Sequence, residues 1–494
     1  MPVSRSSASA GPSPLVPVIV LCVGGLSAAL TQTMVIPIQG ELPLLLDASP
    51  SGASWVVTTT LLAGAVSMPV AGRLADLLGK QRVLAATLVL LVLGSAVCAL
   101  ADTLVPMLVG RGLQGLAMGF VPVGISMMRE ITPPRLTSTA IAAMSATLGV
   151  GGAVGLPLAA WIADAHDWHT LFWVSTGIAV LVLVAVLTLV PHVQDANPGR
   201  IDVVGAVGLA VGLVAFLVGV SQGSTWGWTD PATLGAIAGG LVVLGVWGWF
   251  ELRTPDALVD LRTSARRPVL LTNLAAVAIG FGMMAQAVVV PQLLQLPEAT
   301  GYGLGQSILA AGLWMAPGGL VMMLFAPVSS HLIGRLGARR TLMIGAAVLG
   351  AGYLVAFGLM DSPWKLLIAS CITTAGVGIG YAAMPTLILD SVRPAEAGAA
   401  VGLNALMRSV GTTLAAAVMA TVLTSSTVSL GALAVPDERA FQLCFLVGAA
   451  AAFVGVALAA AVPRRSAAAA GVGPVERVVE GAELADDAAG SPRA

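Results

Sequence analysis

Charge is what this chain has least of. Asp, Glu, Lys and Arg make up 10% of its 494 residues, against about 25% in an ordinary soluble domain. Lysine is nearly absent, with only Lys80 and Lys365 present. The formal net charge is −1, and no basic patch exists apart from the short segments between apolar runs, so a nucleic-acid surface is not expected. The four cysteines, Cys22, Cys98, Cys371 and Cys444, all fall within apolar runs. There a thiol behaves as a small apolar group, and no disulfide framework is expected. The only Gly-Lys pair, Gly79-Lys80, is followed by Gln81. No phosphate-cradling GxxxxGK[ST] loop therefore exists, and no ATP site is expected. HExxH, a Cys/His cluster and a Ser-His-Asp set outside the apolar runs are missing as well. The reading that follows is of a protein that is not an enzyme, without metal or cofactor. The Ala-, Gly- and Arg-rich, Lys-poor usage points to a high-GC bacterial genome.

What fills the chain instead is apolar sequence: 57% hydrophobic residues at a mean hydropathy of +0.95. A helix needs about 20 apolar residues to cross a bilayer, and β-barrel strands would be half as long and alternate with polar positions. Runs bounded by charges, Gly, Pro and Asp predict fourteen spans. They lie near 15–38, 53–72, 83–101, 104–128, 139–163, 170–191, 203–222, 232–250, 269–292, 304–328, 341–360, 364–389, 399–424 and 441–462. The first is too long for the apolar core of a cleavable signal and reads as an uncleaved helix.

Positive charge orients the spans. Arg111 and Arg408 lie inside them. With the N-terminus cytoplasmic, only Lys365 and Arg439 fall in outer loops, leaving 19 of the 23 Lys and Arg on the cytoplasmic side. The outer loops carry Glu41, Asp47, Asp102, Asp164, Asp167, Asp230 and Glu298. Both termini are expected in the cytoplasm.

The segment GRLADLLGKQR (Gly72 to Arg82) returns in weaker form as SHLIGRLGARR (Ser330 to Arg340), 258 positions further on. Glu130 and Pro134 return as Asp390 and Pro394, 260 positions on. Six helices occupy only about 180 residues, so the displacement requires an insertion. The two spans between 203 and 250 supply it. The expected architecture is all-α and polytopic. A cytoplasmic segment (1–14) precedes a six-helix bundle (15–191), two inserted helices with linkers (192–268), a second, pseudo-symmetric six-helix bundle (269–462) and a disordered cytoplasmic tail (463–494).

These features resemble the major facilitator superfamily, and within it the fourteen-helix branch of drug:proton antiporters, over about residues 15–462. Gly72, Arg73, Leu74, Asp76, Gly79, Lys80 and Arg82 match that family's first cytoplasmic motif. The resemblance implies a conformational latch in which Asp76 caps the helix that begins near Glu396 and holds the outward-facing state. The second copy has Gly334 where Asp76 stands, so one latch is expected. A generic basic loop is the plainer alternative. GRGLQG (Gly110 to Gly115) is similar to the family's second motif, which implies that Arg111 takes part in proton coupling. A buried Arg costs about 2.5–3.5 kcal/mol on the insertion scale, so it requires a cavity or a partner unless it snorkels. Gly151, Gly155 and Pro157 resemble the exporter motif of helix 5, although Pro157 is displaced by one position and Ala159 and Ala160 replace a Gly pair. Plain helix packing explains them equally. QGSTWGWTDP (Gln222 to Pro231), with its interfacial Trp226 and Trp228, and the linker Phe250 to Pro268 also match the fourteen-helix branch.

One departure bears on mechanism. Where proton-coupled relatives carry an Asp in helix 1, this chain has Thr31 within LTQTMVIPIQGELP. No acid lies deep in any span, so the coupling candidates besides Arg111 are peripheral: Glu41, Asp76, Glu130 and Asp390. Candidates for the substrate path are Gln32, Thr33, Gln114, Gln286, Trp314, Tyr381, Asn404 and Arg408, with Met side chains nearby that re-pack around varied ligands. For each of them helix packing is the alternative. The absence of a carboxylate among these path candidates favours neutral, zwitterionic or anionic compounds over cations.

The expected function is a secondary active exporter of drug-like or antibiotic-like amphiphiles, driven by the proton gradient. It would work by alternating access, as a monomer surrounded by membrane lipid in the cell membrane. The alternatives are an uptake symporter for a small metabolite, an exporter of one endogenous metabolite, and a membrane protein that transports nothing.

Overall fold

The structure is a computed structural model of the 494-residue chain; it describes residues 15–36, 38–39, 41–193, 199–430 and 433–463. The expected segment 1–14 and all but Pro463 of the expected tail lie outside the described residues. Fourteen helices are long and apolar enough to cross a bilayer. They are α1 (Leu15–Thr33), α2 (Ser51–Leu78), α3 (Lys80–Ala99), α4 (Leu104–Ile131), α5 (Pro134–Ala163), α6 (His169–Leu189) and α7 (Val203–Trp226). Then follow α8 (Pro231–Glu251), α9 (Arg267–Gln295), α10 (Ile308–Leu336), α11 (Ala338–Gly358), α12 (Pro363–Leu389), α13 (Pro394–Ser425) and α14 (Glu438–Ala461). Each runs through one of the fourteen apolar stretches read from the sequence. Helices are the form that satisfies every backbone group without water.

Polar residues fix the helix starts. The Ser49 hydroxyl accepts from Gly52 N ahead of α2, and Asp202, Asp230, Ser307 and Asp437 do the same for α7, α8, α10 and α14. Such N-caps contribute about 1 kcal/mol each. The duplicated motif is more helical than its sequence suggests. Gly72 to Leu78 belong to α2, and the turn is confined to Gly79, whose φ of 95° suits glycine. Gly337, at φ 81°, makes the matching turn between α10 and α11. Continuing α2 to Leu78 carries Asp76 out on a rigid helix rather than on a loop. A two-stranded antiparallel hairpin between α13 and α14, β1 (Thr427–Leu430) with β2 (Leu433–Pro436), was not foreseen. Tyr302 donates its hydroxyl proton to Pro436 O and ties the hairpin down.

Helix packing gives two clusters. α1 lies on α5 and α6, and α3 on α4 and α6; α9 lies on α13 and α14, and α11 on α12 and α14. The clusters meet along α2–α13 and α5–α10. The inserted pair forms a hairpin in which α7 rests on both α2 and α13, while α8 rests on α7 and leaves most of its surface uncovered by the rest of the chain. Glycines set the closest approaches. A methyl on Gly376 (α12) would lie 2.7 Å from Gly345 O and collide with Leu349 N of α11, whereas one on Gly239 (α8) would meet nothing.

Opposite signs are therefore expected for two Gly→Ala substitutions. Gly376→Ala should lower the thermal unfolding midpoint of the detergent-solubilised protein, at a cost of about 1–3 kcal/mol. Gly239→Ala should leave it unchanged or raise it.

Candidate functional site

The two clusters are joined at the face where α2 ends, here called the latch face. The Asp76 side chain is 2% exposed. Its Oδ1 accepts from Gly398 N at 2.9 Å and its Oδ2 from Ala399 N at 2.8 Å. Both amides belong to the first turn of the α-helical part of α13, Ala397–Ser425, whose N-cap residue Glu396 makes no side-chain cap. Asp76 thus caps a helix of the other cluster, pairing a carboxylate with free N–H groups and with the positive end of the helix dipole. Glycine makes the reach short enough. A methyl on Gly72 would collide with Gly398 O, one on Gly398 with Gly72 O, and one on Gly402 with Met68 O.

A second tie lies beside it. Arg129, at the end of α4, donates to Leu389 O at the end of α12. Sequence reading missed this residue; its place among the terminal carbonyls of a helix 260 positions away carries no local signature. Of the other motif residues, Lys80 forms an ion pair with Glu130 inside the first cluster, Arg82 is exposed, and Arg73 Nε is buried without a hydrogen-bond partner. Asp390 sits at the C-cap of α12. At the pseudo-equivalent seam, a methyl on Gly334 would meet nothing. There α5 and α10 pack through Ala142, Ala146 and Ala326, and their polar contact is between hydroxyls, Thr139 Oγ1 lying 2.7 Å from Ser330 Oγ.

Toward the opposite face, α5 and α10 part. Val154, Pro157, Leu158 and Trp161 of α5, with Ala316 and Leu320 of α10, line an apolar cleft of about 440 Å³. Pro157 therefore lines an open groove between α5 and α10, along which Val154, Trp161 and Leu320 are exposed. Gly151 and Gly155 do not line it, because they let α5 press on Ala29 and Thr33 of α1. Thr33 also donates to Gly151 O at 3.2 Å. Glu41 is exposed beside a short helix, Leu42–Leu45, at this opposite face.

Arg111 is sealed, at 1% exposure. Its Nε donates to Val56 O of α2 at 3.1 Å, and one terminal nitrogen donates to Thr31 O of α1 at 3.0 Å and Gln114 Oε1 at 2.8 Å. Thr31 lies in the last turn of α1, where carbonyls lack intrahelical donors. The guanidinium thus caps a helix C-terminus, where a cation is favoured. The network runs on from Gln114 Nε2 to Ser95 Oγ (2.9 Å), from there to Ser175 Oγ (3.1 Å) and back to Thr31 Oγ1 (3.0 Å). It joins α1, α2, α3, α4 and α6, and no carboxylate takes part in the hydrogen bonds of this ring. Internal coordination thereby takes the place of snorkelling.

The path candidates divide. Gln114 is committed to the Arg111 network, and Asn404 donates to Asn273 Oδ1 at 2.9 Å, tying α13 to α9. In apolar surroundings neutral amides settle on one another, so in this state these two serve as ties. Arg408 places its guanidinium 4.1 Å from the centre of the buried Tyr381 ring. That is a cation–π contact, made between α13 and α12. Gln286 is buried on α9. Gln32 and Thr33 are half-buried at the end of α1, and Trp314 donates to Gln306 Oε1 at 3.1 Å.

Comparison with known proteins gives one sequence family and one fold. The profile of the Major Facilitator Superfamily matches residues 21–416. An uncharacterized MFS-type transporter of Mycobacterium tuberculosis is 30% identical over 376 residues, 75% of this chain and 53% of its own length. The chain thus spans about half the length of that relative. Multidrug resistance protein Stp of the same species is 27% identical over 75% of this chain and 69% of its own. Multidrug transporter protein MdtP of Bacillus subtilis is 24% identical over 75% and 68%. Among solved structures, the human organic anion transporter MFSD10 (TETRAN) superposes with a TM-score of 0.63 at 16% identity, covering 91% of this chain and 100% of that one. The proton:xylose symporter XylE gives 0.64 at 14% identity, with 91% and 96% covered.

Arg111→Lys should destabilise the protein more than its preserved charge suggests, because one ammonium cannot span the carbonyls of two helices and the Gln114 amide. A loss of about 2–4 kcal/mol is expected. It would be read as a lowered unfolding midpoint in detergent, with the exposed Arg82→Ala unchanged.

Proposed function

The chain belongs to the Major Facilitator Superfamily, and from that membership we propose that it is a secondary active exporter of drug-like or antibiotic-like amphiphiles, driven by proton antiport. The observation that carries this reading is the asymmetric seam. Asp76 and Arg129 tie the clusters together at the latch face, while an apolar cleft separates α5 from α10 toward the opposite face. With the latch face cytoplasmic, as the Lys and Arg distribution favours, this is a state closed inward. Rocking about the α2–α13 and α5–α10 seams would then open the other side, so the two arrangements exchange by breaking a few ties rather than by refolding. The apolar cleft favours amphiphiles over sugars and small polar metabolites, and the relatives named as multidrug proteins support the same class.

Proton drive rests on the family resemblance. The Arg111 ring holds Thr31 in place of an acid, so a titrating group would sit outside that ring. Glu130 is held by Lys80 and Glu41 is exposed, which leaves them as peripheral candidates, with Asp76 and Asp390. The transporter would act as a monomer in the cell membrane with both termini cytoplasmic.

Expression in a bacterium lacking its own efflux pumps should lower the accumulation of some members of a broad panel of amphiphilic dyes and antibiotics. A protonophore should restore accumulation. Unchanged accumulation of every compound would overturn the exporter reading, and accumulation that rises with expression would replace it with uptake.

A further inference from the structure

At the base of the inserted hairpin, on the latch face, two acids face each other with no base between them. Asp202 caps α7, its Oδ1 accepting from Gly205 N at 2.7 Å. Glu251 ends α8 and is 2% exposed, and its Oε1 accepts from Val259 N at 2.6 Å in the linker to α9. The second oxygen of each, Asp202 Oδ2 and Glu251 Oε2, is buried and has no hydrogen-bond partner. Both lie over Gly205, where an added methyl would collide with Asp202 Oδ2 and come within 2.7 Å of Glu251 Oε2.

Two carboxylate oxygens are both acceptors. Buried against each other they repel, and each goes without the hydrogen bond that burial demands. One proton resolves both problems, because a protonated carboxyl donates to its ionised neighbour. The basic groups nearby do not offer the alternative. A cavity of about 470 Å³ beside Glu251 is lined by Arg73 of α2, by Arg253, Asp260 and Arg262 of the linker, and by Arg393 and Glu396 ahead of α13. Arg253 stacks on Trp249 at 3.9 Å, Arg262 donates to Leu252 O at 2.9 Å, and Arg393 pairs with Glu396. Asp260 caps the short helix Leu261–Ser264. None of the four arginines donates to either free oxygen.

We propose that Asp202 and Glu251 share one proton, forming a proton-binding site that docks the α8–α9 linker against the two clusters when occupied. Glu251 joins the hairpin to the linker through Val259 N, and the cavity wall next to it includes Ala399, whose amide Asp76 holds. Loss of the proton leaves two buried charges, and the linker relieves them by moving away. Docking therefore weakens as pH rises. The site goes beyond the proposed transport function and requires neither a transported compound nor a proton that crosses the membrane.

Hydrogen–deuterium exchange of linker residues 252–266 tests it, on the full chain in lipid nanodiscs from about pH 5 to about pH 9, corrected for intrinsic exchange. In the wild type, exchange should rise with pH by up to about tenfold per unit, the slope for one proton released on undocking. Glu251→Gln can accept from Val259 N and donate to Asp202, and Asp202→Asn can donate to an ionised Glu251, so either should hold the linker protected with a flat pH profile. Infrared difference spectra over the same range should show a protonated-carboxyl C=O band in the wild type that Glu251→Gln removes. A flat wild-type profile, a pH dependence that survives in both isosteric variants, or a band unaffected by Glu251→Gln would each overturn the proposal. If one variant fails to fold, the other decides.

Discussion

The arrangement of this molecule depends on one buried carboxylate. Asp76 offers two oxygens to two amides of α13 across the seam between the clusters. Charge-assisted hydrogen bonds of this kind contribute about 1.5–3 kcal/mol each. Together with the helix dipole they exceed what a hydroxyl contact such as Thr139–Ser330 can supply. The duplicated sequence therefore does unequal work. One copy holds the α2–α13 seam by charge, and the other leaves α10 on α5 by packing and hydroxyls. Such a difference suits a molecule that must open one seam without losing the other.

The rest of the polar interior exists to keep helices in place around that seam. Arg111 binds α1, α2 and α4 with a charge that needs no carboxylate, because carbonyls at a helix C-terminus supply the negative end. Asn404 and Asn273 do the same for α13 and α9 with neutral amides. This accounts for a chain that keeps Arg111 yet has Thr31 where an acid would be expected. Arg111 is held through the Thr31 carbonyl, and the Thr31 hydroxyl, which donates to Ser27 O, joins the Ser95–Ser175 chain.

Much of this was legible in the residues, and what was not has a common cause. The fourteen spans follow from hydropathy, and the turns at Gly79 and Gly337 from the repeat. The partner of Asp76 followed from a family resemblance and agrees with the geometry. Arg129 on Leu389 O and Glu251 facing Asp202 were invisible, because each depends on residues 49 or 260 positions apart meeting at helix ends. In this state Gln114 and Asn404 meet other helices, and a polar side chain in an apolar span looks alike in sequence whether it meets a ligand or another helix. The β1–β2 hairpin carries no clear sequence signal, because Ala and Gly dilute its strand pattern in TVSLGALAVP.

The central claim, that Asp76 on the first turn of α13 holds the latch face closed, is tested most directly by pulsed electron paramagnetic resonance. Spin labels at exposed Leu78 and Leu336, one in each cluster, report the separation across that face. The wild type should show one dominant short distance. Asp76→Asn keeps the side chain's size but only one acceptor oxygen and no charge, and it should gain a longer-distance population, shifting the ratio by about tenfold for each ~1.4 kcal/mol lost. An identical distance distribution in the two proteins would contradict the account.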